Sequence, residues 1–167
     1  NPFMGSGALG TWIDDFNSDN PDFATLGFIG GGGISSGSNS GAPIGRRPVP
    51  PGTPRWGSGW KKAVVGTYHP MTSVGNQGSV MSYRQNYLDL DPSYTDSFGR
   101  PMLRLTFDWQ ENEFRQMEYA RGICTNIAKE MGAEQVMLRR RRSRYSIAFY
   151  QTTHNTGGTV VGDDPKT

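Results

Sequence analysis

Apolar residues recur at three- and four-residue steps along one long stretch of the chain. Phe114, Met117, Ala120, Cys124, Ile127 and Met131 share one face of a helix expected from about 109 to 131. Asp108 is placed to cap it, with Glu111 three residues on in a capping-box-like pattern. Gly132 stands where a left-handed C-terminal cap belongs. Elsewhere the period is two. Leu103, Leu105 and Phe107 alternate with Met102, Arg104 and Thr106, the pattern of a half-buried strand. Asn86 to Leu90 reads as its antiparallel partner, with Asp91-Pro92 and Phe98-Gly99-Arg100-Pro101 as turns between them. Further strands are expected at Thr25 to Ile29 (closed by Gly30 to Gly33), at 71–83, at Gln135 to Leu138 and at Ile147 to Thr153. A short helix is expected over Gly59 to Val65, which Pro70 prevents from continuing. Residues 1–23 read as loop with a turn of helix. Strands, helix, strands without βαβ alternation argue an α+β fold with a mainly antiparallel sheet backed by helices.

Composition qualifies this picture in one region. Of 23 Gly and 11 Pro, more than half lie within residues 1–60. Residues 35–55 are Ser, Gly, Pro and Arg and read as an exposed excursion within a single domain spanning 1–167. Pro48, Pro50 and Pro51 cannot donate to a ladder, so no central strand passes there. The hydrophobic share is 34% before glycine is counted, and adding glycine restores a globular value. Glycine does not fall at every third position, which excludes collagen. A net charge of +2 is too small to imply a nucleic-acid partner. Cys124 alone excludes an internal disulfide framework. No apolar run reaches the roughly 18 residues of a membrane helix. The chain opens on Asn1-Pro2 without a Met, and is expected to be a piece of something longer.

Three constellations could carry chemistry. Gly5-Ser6-Gly7-Ala8-Leu9-Gly10 is a literal G-x-G-x-x-G. A dinucleotide turn needs a strand before it and an amphipathic helix after it. Only four residues precede Gly5, and 11–20 lacks a helical stripe, so a plain loop is expected. Arg139 to Arg142, with Arg144, could grip an anionic substrate or acidic partner surface, or form a solvated turn. No aromatic platform repeats along it, as a nucleic-acid site would want. His154-Asn155-Thr156-Gly157-Gly158-Thr159 sets an imidazole at the end of an expected strand, before small residues. Imidazole suits proton abstraction from an alcohol, and glycines let a flat ligand approach the backbone. His69, in Tyr68-His69-Pro70, competes for that role. Two distant histidines, one cysteine and no close carboxylate pair disfavour a metal site.

The His154 stretch resembles the glucose–methanol–choline (GMC) family of flavin oxidoreductases. Its motif there has the form His-x-x-Gly-Thr-x-x-Met-Gly. His154, Gly157 and Gly162 match; Gly158 replaces the Thr, with Thr159 one place later, and Val161 replaces the Met. Those departures look like the bacterial membrane-associated branch, the large subunits of gluconate, sorbitol and fructose dehydrogenases. Asp14 to Asn17, Gly27 to Gly31, Pro50 to Gly57, Tyr87 to Pro92 and Gly99 to Met102 look like the same branch, so the resemblance spans nearly the whole chain. His69-Pro70 lacks the motif's glycine, since Thr72 takes its place.

The resemblance implies the substrate-binding domain of a GMC flavoprotein, excised from a longer chain and inactive alone. His154 would be the catalytic base. Asn155 would donate a hydrogen bond beside it, and Gly157, Gly158 and Thr159 would wall the flavin. FAD would be held mainly by a domain outside this chain. The substrate would be a sugar, polyol or sugar acid, and the partners a small subunit and a cytochrome c subunit, on the periplasmic side of the inner membrane. The competing expectation is a non-catalytic interaction domain that uses the arginine run.

Overall fold

A computed structural model describes residues 10–17, 22–37, 49–67, 70–141, 143 and 162–164. Strands β1 (Thr11–Ile13), β2 (Gly32–Gly37) and β3 (Ser73–Gly78) form an antiparallel sheet with β2 in the centre. Ile13 faces Ile34 across one ladder, and Gly33 faces Gln77 across the other. A second, two-stranded antiparallel sheet pairs β4 (Tyr87–Thr95) with β5 (Pro101–Thr106). Three helices accompany them: α1 (Phe23–Leu26), α2 (Gly57–Thr67) and α3 (Glu111–Glu130). The α+β class and the antiparallel pairing are as the sequence predicts.

The core is small. Phe28, Ile34, Val64 and Ala120 are its buried apolar members among the described residues. The Phe28 ring lies between Phe23 and Tyr119, with centroids 6.1 and 5.5 Å away. Helix α3 lies against β3. Its close approach depends on glycine: a Cβ at Gly78 would fall 2.2 Å from Gln116 Oε1.

Several expectations give way. Thr25 to Ile29 is no strand. Asp22 caps α1 by accepting from Thr25 N at 3.4 Å, with a second bond from Thr25 Oγ1 at 2.6 Å, and Gly27 ends the helix at φ +71°. Residues 11–13, expected as loop, form β1. Ser35 to Gly37 belong to β2 rather than to the excursion, whose residues 38–48 lie outside the described set. Asp91-Pro92 does not break β4. The strand continues through an irregularity between Leu90 and Thr95, a place where proline's missing N–H is tolerated. Gln135 to Leu138 forms no strand. The chain there runs back along α3 instead: Arg121 Nη1 donates to Arg139 O at 3.0 Å, and Arg141 pairs with Glu118 at 2.9 Å. The expected strand at 147–153 lies outside the described residues.

Helix α2 and the C-terminal cap of α3 match expectation, the latter with Gly132 at φ +81°. The N-terminus of α3 does not. The reciprocal carboxylate is Glu113, whose Oε2 accepts from Gln110 N at 3.1 Å; Asp108 is held instead by Asn86. The buried face also differs. Its fully buried members are Glu113, Gln116 and Ala120. Of the predicted stripe, Phe114, Met117, Cys124 and Ile127 are half-buried and Met131 is exposed.

Candidate functional site

Polar side chains are buried on α3 because a backbone segment needs them. Residues 27–31 belong to no strand; Gly27 N donates to Phe23 O and Gly31 O accepts from Ser79 N, but the rest of the segment's backbone has no ladder to join. Helix α3 supplies the partners. Asn112 Oδ1 accepts from Ile29 N at 2.8 Å, and its Nδ2 donates to Ile29 O at 2.9 Å. Gln116 Nε2 donates to Gly30 O at 3.0 Å and Gly31 O at 3.3 Å. Arg115 Nη1 donates to Gly27 O at 3.2 Å. One helix face thus grips the Gly27 to Gly31 stretch by its main chain, while the Phe28 ring packs on Tyr119 of the same helix and Ile29 is left exposed.

Glu113 fixes the other flank. It is 2% exposed, and its Oε1 accepts from Met81 N at 3.2 Å and Tyr83 Oη at 3.0 Å. With Gln110 N on Oε2, the carboxylate holds the N-terminus of α3 to the segment between β3 and β4. Among the described residues its partners are neutral donors and not a cation. Burial and the hydrogen bond to Glu113 push the Tyr83 phenol up to about 12. Its burial and its hydrogen bonds to Met81, Tyr83, Gln110 and Asn112 suit a structural clamp.

A narrow cleft opens beside this clamp, lined by Phe16, Phe28, Gly31, Gln116 and Tyr119. It has room for about one water molecule. It therefore takes no flavin or sugar among the described residues. Nor do those residues contain the strand–glycine–helix of a dinucleotide turn. Gly10 leads into β1, a strand paired with β2, while residues 5–9 lie outside the described residues. No three metal-ligating side chains come together among the described residues.

His154, Asn155, Gly157, Gly158 and Thr159 all lie outside the described residues, as does His69. Arg139 to Arg141 are described and exposed, and Arg141 is engaged by Glu118. The burial of the Cys124 thiol pushes its pKa up, away from a reactive thiolate. No described helix is long and apolar enough to cross a membrane. What sequence reasoning missed is the group Asn112, Glu113, Arg115 and Gln116. The available signal was their density, four hydrogen-bonding side chains in five positions facing a glycine-rich segment.

The chain is 42% identical over 169 residues to the gluconate 2-dehydrogenase flavoprotein of Pantoea cypripedii, an alignment covering all of this chain and 28% of that protein. It is 29% identical over 100 residues to the fructose dehydrogenase large subunit of Gluconobacter japonicus, covering 60% of this chain and 17% of that protein. The chain therefore spans less than a third of the length of either curated relative. No protein-family profile matches it, and no solved structure does. Both relatives are dehydrogenases by name and one is a flavoprotein, so this chain is a relative of dehydrogenase flavoproteins.

Proposed function

We propose that the chain is the substrate-binding part of an FAD-dependent dehydrogenase of the GMC family, oxidising a CH–OH group of a sugar, polyol or sugar acid. The observation that carries this reading is 42% identity sustained over the whole chain to a gluconate 2-dehydrogenase flavoprotein. On this reading FAD is held mainly by a part of the longer polypeptide outside this chain. When bound, the flavin supplies the acceptor for the substrate's hydride. His154 takes the hydroxyl proton as general base. Asn155 donates a hydrogen bond beside it, and the small residues Gly157, Gly158 and Thr159 keep the site open. The α3 clamp is scaffold to this chemistry and takes no part in it. Activity therefore belongs to the longer polypeptide and not to these 167 residues alone. The same reading brings a small subunit and a cytochrome c subunit as partners on the periplasmic side of the inner membrane.

The test is His154→Ala in the longer polypeptide with gluconate as substrate. A positioned general base contributes about 10²–10⁴-fold, so turnover should fall by that factor while flavin absorbance per protein is unchanged. Near-normal turnover would remove His154 from the role.

A further inference from the structure

The β4–β5 ribbon carries its burial the wrong way round. Leu88 pairs with Leu105 and Leu90 with Leu103, so side-chain alternation sets four leucines on one face. Asp89 and Arg104, paired across the ladder between them, lie on the opposite face and form a two-pronged ion pair, with Nε to Oδ1 at 2.8 Å. Yet the leucines are the more exposed group, Leu103 at 68% and Leu90 at 61%. At the tip, Phe98 is 83% exposed. This is not a frayed loop. Asp91 Oδ1 accepts from Ser93 N and Tyr94 N, and Asp96 Oδ1 accepts from Phe98 N and Arg100 N, all at 2.8–2.9 Å. The ribbon is built in advance with one face apolar and bare.

We infer that this leucine face is a docking surface for a further part of the same polypeptide, beyond residues 1–167. This rests on the reading of the chain as part of a longer flavoprotein. Two observations select that occupant. The relative that matches this chain from end to end has more than two thirds of its length outside the match, so a large body of chain is there to cover the face. A second copy is the poorer occupant. Such a patch covers on the order of a few hundred Å², and two of them fall short of the roughly 1,200 Å² of a stable interface. Two strands alone are also marginal in water, so the ribbon gains its stability from what covers it.

The experiment places the photo-crosslinker benzoyl-phenylalanine at position 103, and separately at 90, in the longer polypeptide. Light and heavy isotope preparations are mixed before irradiation, and the crosslinked peptides are identified by mass spectrometry. Crosslinks from either position to peptides outside 1–167, within one isotope label, are expected. Crosslinks confined to residues 1–167, crosslinks joining light to heavy chains, or no crosslinks at either position would each overturn the proposal. Flavin absorbance is read on the same preparations. Crosslinks as expected without flavin leave the docking surface standing and remove the flavoprotein reading. Flavin without the expected crosslinks removes the docking surface alone.

Discussion

Asn112 holds Ile29 by both of its main-chain polar groups, accepting from the N–H at 2.8 Å and donating to the carbonyl at 2.9 Å across 83 positions of sequence. A side-chain amide is the one neutral group that can imitate a neighbouring strand in this way, with donor and acceptor side by side. It lets the chain between α1 and β2 lie beside α3 without joining a sheet.

Asn112→Ala removes both bonds. Ile29 is 53% exposed, so water recovers part of the loss. The expected destabilisation is about 1–2 kcal/mol, measured by urea unfolding. Asn112→Asp keeps the acceptor but turns a carboxylate oxygen toward Ile29 O and Glu113 Oε1, and should cost at least as much as Ala. Equal stability of all three would mean the contact contributes nothing.

Glu113 should be far less tolerant. Glu113→Ala leaves Gln110 N, Met81 N and Tyr83 Oη without their acceptor in a site closed to water. A loss of about 3 kcal/mol or more is expected. Glu113→Gln keeps the shape and one acceptor oxygen, so its loss should be smaller, roughly 1–2 kcal/mol. Equilibrium denaturation of the two variants checks the order; a Gln variant weaker than Ala contradicts the clamp.

Tyr83 makes the clamp sensitive to alkali. Its folded value of about 12 lies above the ordinary 10. The unfolded chain therefore releases the phenolic proton first, and the contribution is full below pH 10 and disappears as pH rises through 12. The denaturation midpoint should drop across that window more steeply in the wild type than in Tyr83→Phe, which has no proton to lose. Parallel curves would show that Tyr83 does not titrate differently on folding.

The sequence made some of this legible for physical reasons. Helix α3 and its end at Gly132 were plain because periodicity and a left-handed cap are local properties. The β4–β5 pairing was plain because alternation over Met102 to Phe107 is strict. Which face each element buries was not, since burial depends on partners. Glu113 and Gln116 lie outside the apolar stripe, and backbone groups 30 and more residues away are what bury them. Leu103 and Leu105 read as the apolar face of a half-buried strand, yet the structure leaves both exposed. Thr25 to Ile29 misled because a five-residue apolar run fits a strand or a helical turn equally, and Asp22 decided it. At the candidate site, His154 and its glycines stand out as a motif, whereas the α3 clamp has no motif at all.

The last prediction concerns the Trp12 indole, which lies across Gly33 on the neighbouring pair of strands. A Cβ built at Gly33 would come 1.9 Å from Trp12 Cζ2, so even alanine cannot coexist with the ring where it lies. Trp12 also donates from Nε1 to Asp14 Oδ1, which anchors the ring to the turn after β1, where Gly32 N donates to Phe16 O at 2.8 Å. Gly33→Ala must therefore swing the indole away, break the bond to Asp14 and loosen β1, the three-residue edge strand. The ring is half exposed and has solvent to move into, so the expected cost is about 1–3 kcal/mol rather than unfolding. Hydrogen exchange at the β1 amides should quicken while β3 stays protected. In Trp12→Ala the obstacle is gone, and adding Gly33→Ala should then cost much less than it does alone. An undiminished cost in that double variant would place the strain somewhere other than the indole.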